Sequence, residues 1–256
     1  TIPEGYTIDQ IATAITTDVS TKKAGKTPFK KEDFLKAVQD DAFIEKMVAK
    51  YPKLLANLPS KDSGVRYRLE GYLFPATYNY GKDTTVKEMI DQMLAAMDQN
   101  LSPYYETLES KNINVNEVLT LASLVEKEGA TDQDRKDIAS VFYNRLNQDM
   151  PLQSNIAILY AEGKLGQKTT LKEDATINTE LDSPYNIYKN TGLMPGPVDN
   201  PGVSAIEAAV NPSKTDYLYF VANVENGEVF FAKTYEEHNK NVEEHVNSKL
   251  TQASSN

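Results

Sequence analysis

A glutamate at the end of an apolar helical stripe is the residue best placed to do chemistry. Val118, Leu119 and Ala122 lie three or four residues apart, which is the spacing of one helix face, and Glu126 continues that face one turn further. A carboxyl group that points toward the core has its charged form disfavoured, so its pKa rises toward the working range of a general acid. We therefore expect Glu126 to be a catalytic acid that donates a proton to a leaving oxygen.

Two observations qualify this hypothesis. Glu128 follows two residues later, about 200° around a helix of 3.6 residues per turn, so the two carboxylates face opposite ways and are not a working pair. Glu126 also has an alternative role as a structural carboxylate that pairs with Arg135 or Arg145 on the next predicted helix. The residues alone leave both roles of Glu126 open.

The aromatic and amide content of the chain suits a sugar-binding groove. Glycosidic chemistry needs an acid for the bridging oxygen, and commonly a groove where aromatic faces meet sugar rings and amides bind hydroxyls. The chain has 15 Tyr and no Trp. Tyr185, Asn186 and Tyr188 lie together in a loop rich in Gly and Pro. This composition favours a carbohydrate ligand.

Composition also excludes several other chemistries. The 256 residues include no Cys and two His, so thiolate chemistry is excluded and serine-triad or zinc-protease chemistry has little material. His238 and His245 would share a helix face, but a metal site needs three or more ligands, so we expect no metal and no cofactor. A net charge of −10 opposes binding to nucleic acid or to anionic lipid.

Local patterns predict an α+β fold of many helices and a few short strands. Capping signals start helices after Thr7, Asn114 and Thr131, and the last two helices are expected to form a hairpin. The strongest strand pattern surrounds Glu225 and Gly227 and predicts a β-hairpin. The other expected helices lie near residues 31–40, 41–51, 52–57, 84–100, 203–211 and 234–250, and the other expected strands lie at residues 1–3 and 65–81.

A soft boundary near residue 80 divides the chain into two predicted parts, residues 1–80 and residues 81–256. No apolar run approaches the roughly 20 residues of a membrane-spanning helix, and the N-terminus has no signal-peptide pattern. The chain begins at Thr1 without an initiating Met, so we expect an upstream segment in the full-length protein.

Several sequence blocks, in a fixed order, resemble the YceG-like family of endolytic murein transglycosylases. They are LEGYLFPATY, LASLVEKEG, ASVFYNRL, MPLQSN, SPYNIYKNTGLMPGPVDNPG and AAVNPSKTDYLYFV. The resemblance implies a LysM-like α/β subdomain, present in part, within residues 1–80. It also implies a catalytic domain of helices and a β-hairpin in residues 81–256.

The resemblance implies an enzyme anchored in the cell membrane by one span outside this chain, with its catalytic domain on the extracytoplasmic face. Its substrate would be nascent peptidoglycan strands, and penicillin-binding proteins and other cell-wall synthesis proteins would be its partners. The first glutamate of the VEKE block would be the acid and base, and it matches Glu126. It would protonate the oxygen between N-acetylmuramic acid and N-acetylglucosamine. It would then help the muramic C6 hydroxyl attack C1, which leaves a 1,6-anhydro end without using water.

Other family blocks imply substrate-binding residues, which are Gln153 and Asn155 in LQSN, and Tyr185, Asn186 and Tyr188 in SPYNIY. Relatives often have Leu-Gln-Thr-Asp-Pro where this chain has LQSNI, so Asn155 replaces an acidic residue. This departure argues against a second catalytic carboxylate at position 155.

Two alternatives remain open at this point. A hydrolytic muramidase would need a second carboxylate, for which Asp182 and Asp199 are the candidates, and it would release reducing ends. A non-catalytic glycan-binding or scaffold protein of the cell-wall synthesis machinery would use the groove for binding and keep Glu126 as an ion-pair partner.

Overall fold

The architecture is α+β, as predicted, and the described residues form helices and two small antiparallel two-stranded sheets. A computed structural model describes residues 1–18, 21–166 and 177–247. The helices are α1 Ile8–Ala14, α2 Lys31–Ala37, α3 Asp41–Lys50, α4 Val86–Leu101, α5 Tyr105–Ser110, α6 Val115–Glu128, α7 Asp132–Asn147, α8 Asn155–Ala161, α9 Val203–Val210 and α10 Tyr235–Val242. The strands are β1 Thr17–Asp18, β2 Lys23–Ala24, β3 Tyr219–Ala222 and β4 Val229–Ala232. Short 3₁₀ turns occupy Lys61–Ser63 and Ser102–Tyr104, and a π turn, Glu243–Asn247, follows α10.

Local capping signals determine where the predicted helices begin. Reciprocal bonds between the N-cap residue and the third helical residue start three helices, which are Thr7 with Gln10 in α1, Thr85 with Glu88 in α4, and Asn114 with Glu117 in α6. Thr131 accepts a bond from the backbone N–H of Asp134 and starts α7. The starts of α1, α6 and α7 confirm the predicted capping signals, and α4 lies within two residues of its predicted position.

Helix α6 is the centre of the core. It is buried from Val118 to Val125 on every side, because α7, α8 and α9 all pack against it. A helix that is apolar all round requires neighbours on all its faces. The predicted hairpin of α6 and α7 is confirmed, and its short connection begins at Gly129. The last turn of α6, which carries both candidate glutamates, is therefore held between other helices.

The predicted β-hairpin is confirmed as β3 and β4. Tyr219 is opposite Ala232 and Ala222 is opposite Val229, and Gly227 has a φ of +72° in the connecting turn. The hairpin packs against α7 and α10. The predicted C-terminal helix is confirmed over Tyr235–Val242, whereas its predicted residues 248–250 lie outside the described residues.

Three predicted elements are wrong. Residues 65–81 form a turn at 68–71 and irregular chain on either side instead of a strand, because Asn200 Oδ1 accepts bonds from the backbone N–H groups of Gly71 and Leu73 and bends the chain there. Residues 52–57 form turns instead of a helix. Residues 1–3 form no strand, although the N–H of Ile2 donates to the carbonyl of Ala76 at 2.9 Å.

The N-terminal segment is bonded to the loop before α9. Gly5 N–H donates to the carbonyl of Asn200, and the N–H of Asn200 donates to the carbonyl of Tyr6, both at 2.9 Å. The buried carboxylate of Glu70 accepts from Ile8 N–H and from Asn200 Nδ2, both at 2.8 Å. The hydrophobic core includes residues on both sides of position 80. The domain boundary expected at that position stays a prediction.

Replacement of Glu70 by Gln should make the protein less sensitive to alkaline pH. Burial raises the pKa of Glu70 from about 4.5 to about 8, so between these values the folded protein holds a proton that the unfolded chain has lost. The free energy of unfolding of the wild type therefore falls as pH rises through this window. We expect Glu70→Gln to become more stable than the wild type by a few kcal/mol near pH 8, since one pKa unit corresponds to about 1.4 kcal/mol.

Urea unfolding at several pH values measures this effect. Glu109→Gln is the matched control, because Glu109 is exposed on α5 and should leave the pH dependence of stability unchanged. Parallel pH profiles for wild type and Glu70→Gln would contradict the prediction.

Candidate active site

A cavity of about 530 Å³ lies at the end of α6. Its wall is built by the last residue of α6, the end of α7, the start of α8, strand β3 and helix α10. The polar side chains in this wall are Glu128, Arg145, Gln153, Asn155, Tyr188 and His238. Its volume is in the range of typical small-ligand sites, and it combines apolar walls with a few convergent polar groups.

Glu128 is the carboxylate of this cavity. It is partly buried, and Ser154 Oγ donates a hydrogen bond to its Oε1 at 2.9 Å. Burial raises the pKa of Glu128, and the bond from Ser154 opposes this shift because it favours the charged form. A carboxyl group in this environment can hold a proton and release it again, as a general acid and base must.

Glu126 points away from the cavity, as the predicted 200° rotation between the two glutamates requires. Its Oε1 accepts from the backbone N–H of Gly202 at 2.8 Å, and its Oε2 pairs with Arg135 Nη2 at 3.1 Å. Only 5% of its side-chain surface is exposed. Burial raises the pKa of Glu126, while Gly202 and Arg135 lower it. The structure thus shows the ion pair considered as an alternative, and the catalytic role of Glu126 stays a prediction that the geometry does not favour.

Three of the five residues predicted to bind substrate lie together in the cavity wall. Asn155 begins α8, and its Oδ1 accepts a hydrogen bond from the Tyr188 hydroxyl. Gln153 has a φ of +57°, a left-handed conformation that is strained for a residue other than glycine. Its N–H donates to the carbonyl of Ile187 at 3.0 Å, which maintains this conformation. The side chains of Gln153 and Asn155 are exposed to the cavity.

Tyr185 and Asn186 are buried behind the wall, with 2% and 1% of their surfaces exposed. The Tyr185 ring lies 5.2 Å from the ring of Tyr160. Asn186 donates to the carbonyls of Thr179 and Leu181 and accepts from the N–H of Tyr188 at 3.0 Å. The geometry therefore gives these two residues the task of holding the loop that presents Tyr188, and direct substrate contact by them stays a prediction.

The sequence interpretation missed Glu128, Arg145 and His238 as cavity residues. The helical rotation that separates Glu126 from Glu128 showed that they face different surroundings, but not which face meets open space. Arg145 and His238 come from α7 and α10, and β3 lies between them, since the Tyr219 ring is 5.0 Å from the Arg145 guanidinium and 5.2 Å from the His238 ring. No short-range spacing predicts this meeting.

The two candidates for a second carboxylate lie outside this cavity. Asp182 is exposed elsewhere, and Asp199 is fully buried with its pKa raised by burial. Within the described part of the chain, Glu128 is the one acidic side chain that lines the cavity. A larger cavity of about 630 Å³ lies beside Asn144 and Lys214, but its one acidic residue, Asp216, is exposed and cannot act as a buried acid.

Two further observations concern the described residues as a whole. No three or more His, Asp or Glu side chains among them gather closely enough to hold a metal ion. Within residues 1–18, 21–166 and 177–247, no helix combines the length and apolar character that a bilayer crossing requires.

The fold and the sequence blocks around this cavity define the family. Residues 1–244 match the YceG-like family, so the chain belongs to this family. A crystal structure of a yceG-like protein from Listeria monocytogenes superposes with a TM-score of 0.80 and is 46% identical, over 93% of this chain and 74% of that one.

Two relatives of this chain are named "Endolytic murein transglycosylase". The protein from Streptococcus pneumoniae serotype 2 (strain D39 / NCTC 7466) is 64% identical over 98% of this chain. The protein from Bacillus subtilis (strain 168) is 42% identical over 97% of this chain. The chain spans 45% of the length of the first relative and 65% of the length of the second.

Replacement of Ser154 by Ala should raise the pKa of Glu128. The Ser154 hydroxyl favours the charged carboxylate, and a hydrogen bond to a charged group contributes about 1.5 kcal/mol, which corresponds to about one pKa unit. A ¹³C NMR titration of the Glu128 carboxyl measures the shift. Ser154→Thr retains the hydroxyl and should restore the lower pKa.

Loss of a helix cap needs its own control, because Ser154 also caps α8 by accepting from Ile156 N–H. Thr131→Ala removes the cap of α7 at a comparable cost of about 1 kcal/mol and should leave the pKa of Glu128 unchanged. An unchanged Glu128 pKa in Ser154→Ala would show that the hydroxyl does not influence this carboxyl.

Proposed function

We propose that this chain is the catalytic part of an endolytic peptidoglycan lytic transglycosylase, and that Glu128 is its general acid and base. The observation that carries this proposal is the position of Glu128, a carboxyl with a raised pKa in the wall of a ligand-sized cavity. The names of the relatives support the reaction, and the geometry supports the residue.

The reaction requires one group that gives a proton and then takes one. Protonated Glu128 donates to the oxygen between N-acetylmuramic acid and N-acetylglucosamine, and the C1–O bond breaks. The resulting carboxylate then takes the proton of the muramic C6 hydroxyl as that oxygen bonds to C1. The product is a 1,6-anhydro ring, no water is consumed, and Glu128 returns to its protonated form. Burial stabilises the protonated form that begins this cycle, and Ser154 stabilises the charged intermediate state.

A single carboxylate is sufficient for this route. In ordinary glycosidases a second carboxylate activates water or attacks the sugar itself. Here an intramolecular hydroxyl takes that place, and the high effective concentration of a group on the same ring supplies the rate advantage. The lining of the cavity fits this requirement, because Glu128 is its one acidic residue within the described ranges.

Three side chains in the wall have the chemistry to hold a glycan. Gln153 and Asn155 offer amides to sugar hydroxyls, and Tyr188 offers an aromatic face and a hydroxyl. Tyr185 and Asn186 are buried behind the cavity wall and stabilise the loop that carries Tyr188. The strained backbone of Gln153 aims its side chain into the cavity, and such strain is often found at binding sites.

The setting of the whole protein is part of the same proposal. We place the catalytic part on the extracytoplasmic face of the cell membrane, held by a single-pass anchor, because murein lies outside the cytoplasm. Penicillin-binding proteins and other cell-wall synthesis proteins would be its partners there. Residues 1–80 would contribute part of a LysM-like subdomain, to which α1, α2 and the β1–β2 hairpin would belong.

The alternatives differ in product. A muramidase would add water and release reducing ends, and a scaffold protein would bind strands without cutting them. Neither Asp182 nor Asp199 lines the cavity with Glu128, and this favours the transglycosylase over the muramidase.

Glu128→Gln and Glu126→Gln distinguish the two candidate acids. Glu128→Gln should lower strand cleavage by about 10²- to 10⁴-fold, since the amide cannot donate the proton. Glu126→Gln should retain most of the cleavage, because its amide oxygen still accepts from Gly202 and keeps the last turn of α6 in place. It should lose about 1–3 kcal/mol of stability, because the charge facing Arg135 is lost. Mass spectrometry of digested uncrosslinked glycan strands and urea unfolding measure these effects.

Each alternative has its own signature in this experiment. Loss of cleavage in a folded Glu126→Gln, with Glu128→Gln active, would assign the acid to Glu126. Products heavier by one water would indicate a muramidase. Binding of strands by the wild type without any shortening would indicate a scaffold protein.

A further inference from the structure

The cavity wall contains a buried arginine that no carboxylate neutralises. Arg145 is 7% exposed, and its Nε and Nη1 donate to the carbonyls of Leu218 at 2.6 Å and Pro151 at 2.8 Å. Among the residues that the structure describes, it forms no ion pair. Burial lowers the pKa of Arg145, and the nearby Tyr219 and Tyr188 oppose this shift. Arg135 on the same helix, by contrast, is paired with Glu126.

An unpaired buried cation indicates that a partner is missing. Removing a charge from water is costly unless a counter-ion and hydrogen bonds replace the solvent. The carbonyls and the face of Tyr219 offset part of this cost for Arg145. Its Nη2 has no hydrogen-bond partner in the described ranges, and the Arg145 side chain lines the cavity. This nitrogen is therefore available to a ligand in the cavity.

Glu128 is not the partner of Arg145. The pKa of Glu128 is determined by burial and by Ser154, and the two side chains form no salt bridge in the described structure. Tyr188 lies within the electrostatic range of both charges. This separation suits catalysis, because a guanidinium in contact with Glu128 would hold it in its charged form and prevent it from donating a proton.

We propose that Arg145 binds a carboxylate of the substrate and thereby makes this cavity selective for the muramic acid unit of the glycan. The carboxylate is either that of the lactyl ether, which distinguishes muramic acid from glucosamine, or one on the peptide that extends from it. This inference rests on the proposed function, because it takes a peptidoglycan strand as the ligand. Arginine is suited to the task, since its planar donors match a carboxylate.

His238 provides a reporter for this contact. Its ring stacks on Tyr219, and both burial and the charge of Arg145 hold the pKa of His238 below its usual value. A carboxylate bound at Arg145 would offset that charge and raise the pKa of His238. A purely structural arginine would leave it unchanged. The chain has two His, so the His245→Gln variant assigns the His238 resonance.

The experiment measures binding without turnover. The disaccharide N-acetylglucosaminyl-N-acetylmuramic acid lacks the linkage that the proposed enzyme cuts, so the unaltered protein can be used. Calorimetry and NMR titration of His238 compare four forms of this disaccharide. Two forms are the free acid and its lactyl N-methylamide, and the other two are the dipeptide derivative with free and with amidated carboxyls. We expect a free carboxylate to bind at least about tenfold more tightly than its amide and to raise the pKa of His238.

Variants assign this preference to Arg145. Arg145→Gln should bind acid and amide equally, and Arg145→Lys should retain a weaker preference for the acid. Arg68→Lys is the matched control, because Arg68 also donates its Nε to a carbonyl, that of Pro59 at 2.7 Å, but does not line the cavity. It should leave the preference unchanged. If Arg145→Gln does not fold, the comparison of acid and amide binding to the unaltered protein still shows whether the cavity prefers a carboxylate.

Each result has one meaning. Preference for the free lactyl acid supports the proposal with the lactyl group as the ligand, and preference confined to the dipeptide arm supports it with the peptide as the ligand. Equal binding of acids and amides, with no change at His238, overturns it. Strand cleavage is assayed separately, so selective binding without cleavage would overturn the proposed function and leave the carboxylate site in place.

Discussion

The carboxylate of Glu126 joins three helices at one point, and the rest of the site depends on it. The side chain belongs to α6, its partner Arg135 belongs to α7, and its second oxygen binds Gly202 N–H at the start of α9. A carboxylate at a helix N-terminus is favoured by the helix dipole. Because a buried charge is costly unless it is paired, this arrangement fixes the last turn of α6 in one position. Glu128 on the opposite face of that turn is thereby aimed into the cavity.

Two glutamates two residues apart thus serve different purposes because their surroundings differ. Burial raises the pKa of both carboxyls, but Glu126 receives a backbone donor and a guanidinium, whereas Glu128 receives one hydroxyl. The surroundings of Glu126 therefore offer more groups that favour its charged form, and the surroundings of Glu128 offer fewer. The cavity lies beside Glu128, whose charged form is stabilised by fewer groups. The same helix therefore carries a structural contact and a chemical group in a single turn.

The sequence predicted what short-range physics determines. Helix starts at Thr7, Asn114 and Thr131 were correct, since a cap and its donor lie within three residues of each other. The strand expected in residues 65–81 was wrong, because Asn200, more than a hundred residues away, bends that segment. The stripe leading to Glu126 correctly indicated burial, but a stripe cannot show whether the space beyond it is packed or open. Residues from distant blocks, such as Gln153 and Tyr188, were brought together by resemblance and not by spacing.

Ser154 couples the first turn of α8 to the ionisation of Glu128. Its oxygen accepts from the N–H of Ile156 in the first turn of α8, while its proton is donated to Glu128. One hydroxyl therefore takes part in both a helix terminus and an ionisation. Coupling between two such equilibria is reciprocal. Anything that loosens the first turn of α8 must alter the proton affinity of the acid. Conversely, each change of charge on the acid must alter the tendency of that turn to fray. Asn155 is the first residue of that turn. A sugar that binds Asn155 would therefore change the proton affinity of Glu128 without touching Glu128.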